Sequence, residues 1–352
     1  MNVVTVNASK KYDVVIGTGF IDVLGDKVAP FMSGKKIMVV SDDKVFPLYG
    51  ERAVTSLKNA GYIVTSFLFP SGEESKNIST YSKIVEAMFD AEMTRKDIVV
   101  GIGGGVVTDI AGFAAATYQR GIGLIMVPTS LLAAVDASVG GKNGINLSRG
   151  KNQVGSFYQP SAVFCDIETL WTLPEEEYTN GCAEIIKYSM IVDNGMFDLI
   201  RDKDIKDQYE DIITKCITIK RDFVEADEFD NGKRMMLNFG HTIGHAVEAC
   251  SGYTVPHGRA VAIGMSAITK AAVVNGYCTE DTRMQLDELL EQYNLLDDLK
   301  YSADDLMDKI KVDKKNSSGM LRIVIPKQIG SCWIKEIYKE ECHKWIVLGG
   351  AR

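Results

Sequence analysis

Through the first half of the chain, short runs of β-branched and other apolar residues alternate with stretches whose apolar positions recur three and four apart. The runs NVVTV (2–6), YDVVIG (12–17), KIMVVSD (36–42), YIVTSFLF (62–69), DIVVGIG (97–103), GLIMVPT (123–129) and AVFCD (162–166) predict strands. Several are nearly unbroken Val/Ile, the pattern of strands buried on both faces. Between them, stretches such as TYSKIVEAMFDAEM (80–93) carry helical periodicity. Strand–helix alternation of this kind predicts a layered α/β domain with a largely parallel sheet.

From LPEEEY (173–178) onward the period changes to that of helices, as in DEFDNGKRMMLNFGHTIGHAVEAC and AVAIGMSAITKAAVV. Only LRIVIP (321–326) and HKWIVL (343–348) read as strands there. The expected organisation is therefore an α/β domain over 1–172 and a mainly α-helical domain over 173–352. No repeat or Pro/Gly-rich linker separates them, and junctions of this kind commonly hold ligand clefts.

Composition narrows the function classes. A length of 352 residues accommodates two domains. No apolar run approaches the roughly 20 residues needed to span a bilayer, and MNVVTVNASKKYD lacks the basic-then-apolar pattern of a secretion signal. The seven cysteines are odd in number and never spaced CxxC. That argues against a disulfide framework or a cysteine zinc site and points to a reducing compartment. A net charge of −8 disfavours nucleic acid as a partner. The charge is uneven: residues 101–160 hold Arg120, Lys142, Arg149 and Lys151 against Asp109 and Asp136, a local +2 in a chain that is −10 elsewhere. A basic, glycine-rich stretch in an acidic protein suits a phosphorylated ligand.

Two candidate sites stand out. VVGIGGGVVTDIAGFAAATY carries glycines 101, 103, 104 and 105 between a strand and a small-residue helix. Glycines there admit a phosphate to the backbone, and the helix N-terminus offers N–H donors. In the usual dinucleotide fingerprint the acidic ribose-binding residue follows the glycines. Here Asp42 precedes them, which implies dinucleotide binding on a related but different fold; the plainer role for Asp42 is a turn or helix cap. Second, LNFGHTIGHAVEACSGYTVPHG (237–258) holds three of the chain's four histidines. His241 and His245 share a helical face, and His257 follows a loop. Catalytic zinc takes three protein ligands. Either all three histidines serve, or a carboxylate replaces one, with Glu184 in the apolar NGCAEIIKY as the foremost carboxylate; a lysine-paired surface glutamate is the plainer reading of that residue. Gly240 and Gly244 beside the histidines imply that a ligand or a neighbouring helix packs against the backbone.

Taken in order, GGGVVTDIAGFAAATYQRG (103–121), VPTSLLAAVDASVGGKNGINL (127–147), GKNQVGSFYQP (150–160), TLPEEEYTNGCAEIIKY (172–188), NFGHTIGHAVE (238–248) and HGRAVAIGM (257–265) resemble the 3-dehydroquinate synthase family over nearly the whole chain. The resemblance implies an NAD-binding α/β domain and a helical domain carrying Zn2+ or Co2+. It implies a homodimeric cytoplasmic carbon–oxygen lyase of the shikimate pathway, serving chorismate and aromatic amino-acid biosynthesis. The sugar-phosphate substrate, 3-deoxy-D-arabino-heptulosonate 7-phosphate, becomes 3-dehydroquinate and phosphate. The steps are transient oxidation at C5, phosphate elimination, re-reduction, ring opening and aldol closure. The resemblance also implies that the departing phosphate serves as its own base.

Carried over by position, the resemblance gives Glu184, His241 and His257 as metal ligands. It gives Asp42, Glu73, Lys76, Gly104, Gly105, Val106, Asp109, Thr129, Ser130, Lys151, Thr172, Leu173 and Glu177 as cofactor contacts, with Asp136 and Lys142 shared between cofactor and substrate. Asn152, Lys187, Lys220, Arg234, Asn238, His245 and Lys314 fall to the substrate's carboxylate, hydroxyls and phosphate, Lys315 being the alternative to Lys314. Arg120 is expected to reach the phosphate from the partner subunit. Fixed cations suit a ligand with both phosphate and carboxylate. The chain departs from the family pattern at Arg259, where glutamate is usual, and at Ser130 and Asn143 for threonine, Cys182 for leucine and Lys44 for asparagine. Arg259 is expected to point outward or to pair with a carboxylate, and Asp42 favours NAD over its 2′-phosphate. The alternatives within reach are another sugar-phosphate cyclase and a metal-dependent NAD polyol dehydrogenase.

Overall fold

The computed structural model describes residues 1–148, 150–313 and 319–351. Lys314 and Lys315 lie outside them. The chain divides into two compact units, one of Met1–Pro174 with Tyr209–Phe229, the other of Glu175–Gln208 with Asp230–Arg352.

The first unit holds β1 (Asn2–Asn7), β2 (Lys11–Gly17), β3 (Lys36–Asp42), β4 (Ile63–Phe69), β5 (Ile98–Gly103), β6 (Gly123–Pro128), β7 (Lys142–Leu147), β8 (Gly150–Phe157) and β9 (Ala162–Asp166). All but the β7–β8 hairpin join one sheet in the order β1-β2-β9-β6-β5-β3-β4. Every pairing in it is parallel except β1 with β2. The central strands β5 and β9 are buried at every position, as their Val/Ile runs demand. Edge strand β4 is mostly exposed.

The hairpin was not legible as strands. Its two segments are polar and glycine-rich, and the glycines serve close backbone approach: a Cβ on Gly155 would sit 2.2 Å from the Asn143 carbonyl oxygen. Helix Tyr209–Ala226 also differs from the expected division, which gave everything beyond 172 to the helical domain. It buries Ile212, Ile213, Cys216, Ile217 and Val224 and packs on β1 and β2. Asn7 N–H donates to Glu225 Oε1 at 2.7 Å, holding its end to the strand. Its apolar stripe needs a partner face, and sheet edge β1–β2 supplies one.

The second unit is mainly helical, with a two-stranded ladder of β10 (Met320–Gln328) and β11 (Ser331–Tyr338). The expected strand at 343–348 is instead part of helix Lys339–Leu348. Cys342, Trp345 and Ile346 are buried there, a spacing of three and four rather than two. The stretch before His241 is likewise not one helix. Lys233–Asn238 is a 3-10 turn, Gly240 takes a left-handed φ of 78°, and helix His241–Cys250 starts after it.

Candidate active site

The sheet order creates a crevice. From β3 the chain passes to β4 on one side, then returns to β5 on the other side of β3 and continues to β6. Connections therefore diverge from the carboxyl ends of β3 and β5, the topological position where open α/β sheets bind ligands. Asp42 ends β3 and Gly103 ends β5. Gly103 allows the following helix to start against the strand, since a Cβ there would lie 2.4 Å from Val107 Cγ2. Helix Gly105–Thr117 has Gly104 as N-cap and no side-chain cap bond, so its first N–H groups suit an anion. Thr129 N–H donates to Gly103 O at 3.0 Å, and Ser130 Oγ would be 3.3 Å from a Cβ on Gly104. Val106 stands in the first turn of that helix. Asp42 Oδ1 accepts Lys44 N–H at 2.9 Å and Val45 N–H at 2.8 Å. It thus caps the turn after β3, the plainer of its two expected roles, at the end of the strand that borders the crevice.

Beside the glycine turn lies a polar network. Lys76 is 4% exposed, and its ammonium pairs with Asp109 Oδ2 and donates to Asn152 Oδ1 at 2.6 Å. Asn146 ties the same loops together: its Nδ2 donates to Glu73 Oε1 at 2.7 Å and its Oδ1 accepts Asn152 N–H at 2.8 Å. Lys151 lies 3.6 Å from Glu73. Lys220, on the helix returned from the second half, pairs with Asp136 Oδ1 at 2.9 Å. Lys76 is the most enclosed of these cations, and removing Asp109 would leave its charge desolvated, a cost of about 3–5 kcal/mol. Thr172 bonds the Tyr49 hydroxyl, Leu173 is half-buried, and Lys142 is exposed. Arg120 is exposed in a left-handed turn, with φ 66°. Asn143 is held by its Nδ2, which donates to Gly141 O at 2.8 Å and Tyr158 O at 2.9 Å.

The second unit gathers a different set. Helix Glu175–Val192 is buried from Tyr178 to Ile191 apart from Asn180, so Glu184, 1% exposed, is a carboxylate inside a core. Its Oε2 pairs with Lys187, which is 2% exposed. Its Oε1 lies 3.6 Å from His241 Nε2 and 3.5 Å from His257 Nε2. All three ligand atoms fall within 4.8 Å of one another. Around a tetrahedral ion with bonds of about 2.0–2.2 Å, neighbouring donors stand roughly 3.3–3.6 Å apart, so the Glu184 edges fit such an ion. Each histidine is the first residue of its helix, His241–Cys250 and His257–Val274. The positive helix end disfavours an imidazolium there. Burial pushes the His241 pKa down to about 3, leaving a neutral donor. Burial also lowers that of His257, but the Glu184 and Glu248 carboxylates outweigh it and raise it to about 9. An ion at that nitrogen competes with a proton.

His245 is not in the group that converges on Glu184; it groups with Glu248 and His257. Its ring is nevertheless close to both histidines of that group, with centroids 5.3 Å from His241 and 6.1 Å from His257. Arg234 is 2% exposed on the 3-10 turn that Asn238 ends. Glu177 is exposed in the first turn of helix Glu175–Val192. Arg259 pairs with Asp297 and donates to Asn294 O at 3.0 Å, so the cation two residues beyond His257 is engaged with a carboxylate. Sequence reasoning missed Glu248. The signal was available: it falls seven residues after His241 and three after His245, on the same helix face, in an otherwise apolar stretch.

A glycine-led helix at a sheet switch point, with a buried carboxylate and two imidazoles at ion-edge spacing, defines a class: an α/β dinucleotide-type unit joined to a helical metal-type unit. Comparison with known proteins agrees and goes further. The model of the 3-dehydroquinate synthase N-terminal region matches residues 66–180, and that of the C-terminal region matches residues 181–316. The 3-dehydroquinate synthase of Clostridium botulinum (strain Alaska E43 / Type E3) is 42% identical over 332 residues, covering 93% of this chain and 95% of that one. A crystal structure of 2-deoxy-scyllo-inosose synthase complexed with carbaglucose-6-phosphate, NAD+ and Co2+ superposes with a TM-score of 0.88 at 26% identity, covering 98% of this chain and 99% of that one. The 2-epi-5-epi-valiolone synthase of Streptomyces hygroscopicus subsp. jinggangensis 5008, solved with NAD+ and Zn2+, shares the fold at 24% identity and a TM-score of 0.87, covering 98% of each chain. The chain belongs to the 3-dehydroquinate synthase family.

Proposed function

We propose that this chain carries out the family's reaction, converting 3-deoxy-D-arabino-heptulosonate 7-phosphate to 3-dehydroquinate and phosphate. The observation that carries the reading is the Glu184 carboxylate 3.5 and 3.6 Å from the two imidazole Nε2 atoms in the helical unit. That spacing is built for one ion, in a chain whose other unit offers a dinucleotide crevice. NAD and a divalent zinc or cobalt ion are the cofactors. Bound there, NAD would supply a reversible hydride acceptor for C5, and the ion would supply a Lewis acid for the C5 oxygen.

The chain's own residues bind and position. Glu184, His241 and His257 hold the ion. Asp42 addresses the adenosine ribose, and Gly104, Gly105 and Val106 present N–H groups to the pyrophosphate. Glu73, Lys76, Asp109, Thr129, Ser130, Lys151, Thr172, Leu173 and Glu177 complete the cofactor contacts. Asp136, Lys142, Asn152, Lys187, Lys220, Arg234, Asn238 and His245 orient the substrate; Arg234 and the lysines fix its anionic groups, and His245 holds a proton at a substrate hydroxyl. The C6 proton leaves to a phosphate oxygen of the substrate itself, so the residues chiefly align the reacting atoms. Alignment in a preorganised polar site is the larger share of such catalysis. The reading includes a cytoplasmic homodimer in which Arg120 reaches the phosphate of the neighbouring subunit, supported by its exposed, left-handed turn.

The test is a paired assay. Purified protein with the heptulosonate phosphate, NAD and zinc should release one phosphate per substrate with no net NADH. Net NADH accumulation without phosphate release would instead identify a dehydrogenase.

A further inference from the structure

His257 stands between two carboxylates. Its Nε2 lies 3.5 Å from Glu184 Oε1, and its Nδ1 lies 3.3 Å from Glu248 Oε1. Glu248 is 2% exposed. It sits on helix His241–Cys250, and its carboxylate reaches the next helix to meet a residue nine positions ahead. The intervening turn is pinned to the same residue. Ser251 Oγ donates to Glu248 O at 2.8 Å, Tyr253 N–H donates to Glu248 O at 2.8 Å, and Val255 N–H donates to Ser251 Oγ at 3.2 Å. Such a turn fixes where His257 arrives relative to the Glu248 side chain.

His241 shows the same arrangement with a different acceptor. Its Nδ1 is 3.1 Å from Phe239 O, while its Nε2 faces Glu184. Both imidazoles therefore have Nδ1 on an oxygen acceptor and Nε2 toward the putting-together point of the ligand set. An ionised carboxylate only accepts, so the bond to Glu248 requires the proton on His257 Nδ1. That leaves the Nε2 lone pair for an ion. A carboxylate behind a ligating imidazole fixes its tautomer, locks its ring and raises its basicity.

We propose that Glu248 is a positioning residue for the metal centre: it holds His257 in the Nδ1–H tautomer and presents Nε2 to the ion. The inference rests on the metal assignment above. It also sets Glu248 behind His257 rather than beside it as a ligand, because the His257 nitrogen that faces its carboxylate carries the proton.

The experiment is nitrogen-15 NMR of the imidazoles in the zinc-loaded full-length protein, with zinc affinity of variants measured by chelator competition. For His257 the expected pattern is a protonated Nδ1 and a metallated Nε2. Glu248→Ala should bind zinc about 10–100-fold more weakly. Glu248→Gln, whose amide oxygen still accepts the Nδ1–H bond, should recover part of that loss. A metallated Nε2 with an Nδ1 that carries no proton overturns this proposal alone. An Nε2 that carries no zinc overturns the metal assignment with it. Zinc affinity within twofold of the parent in Glu248→Ala also overturns the proposal. If the alanine variant fails to fold, the parent's tautomer decides.

Discussion

Gly264→Ala tests how the helices that begin with His241 and His257 are spaced. Helices His241–Cys250 and His257–Val274 meet through glycines. A Cβ on Gly264 would lie 2.0 Å from Gly240 O and 2.9 Å from Gly244 N. On the facing side, a Cβ on Gly244 would lie 2.9 Å from Ala260 O. These neighbours are backbone atoms, so no rotamer change relieves the clash. Bringing the 2.0 Å contact to the roughly 3.0 Å that a methyl tolerates requires about 1 Å of backbone displacement. Overpacking of this kind costs about 1–3 kcal/mol, while alanine returns about 1 kcal/mol of helix propensity. The net loss is therefore at most about 2 kcal/mol, a fall of several degrees in Tm. The larger effect falls on the metal centre. His241 and His257 each begin one of the two helices, and the Glu184 edges are only 3.5 and 3.6 Å long. A 1 Å change in their separation should lower zinc affinity at least about tenfold while the fold survives. Thermal unfolding of the apo protein and zinc competition against a chromophoric chelator measure the two effects. A variant with parental Tm and parental zinc affinity refutes the reasoning.

Glu184→Ala should lose zinc and activity together, whereas His245→Ala should keep zinc and lose rate or substrate affinity. Metal analysis of the dialysed proteins decides, and equal zinc loss in His245→Ala and His241→Ala would make His245 a ligand. Asp97→Asn should destabilise the protein by about 1–3 kcal/mol at neutral pH, read by urea unfolding. Asp97 Oδ1 accepts Lys35 and Lys36 N–H, and Oδ2 accepts the Thr94 N–H and hydroxyl. Burial raises its pKa, but these bonds outweigh burial and leave it below 3.8. A depressed pKa stabilises above the unfolded value and is lost as pH falls through the folded one. The gap between parent and variant should hold from pH 7 to pH 5 and narrow only below about 3.8; a gap that widens toward acid contradicts this.

The parallel sheet was legible because β5 and β9 are buried throughout and β3 and β6 at all but their first position, so they need mostly apolar residues. Hairpin β7–β8 was not, because backbone approach rather than side-chain burial holds it. HKWIVL looked like a strand over six residues, and only the wider run from Lys339 reveals the period of three and four. The proposed metal centre was half legible. Spacing identified His241, His245 and His257 as a group, but not which atoms converge, since Glu184 comes from 57 residues before His241 in sequence. Its apolar setting was the clue, and family resemblance chose it over His245. The glycines beside the histidines left a ligand and a helix equally possible; the answer is helix His257–Val274.

The return of Tyr209–Phe229 to the α/β unit interleaves the two halves of the polypeptide. The chain changes unit three times, after Pro174, Gln208 and Phe229. During synthesis, the helix that covers β1 and β2 emerges only after Glu175–Gln208 has left the ribosome. The α/β half cannot finish folding before part of the other half is already exposed. Nor can either half be exchanged whole by a single recombination point.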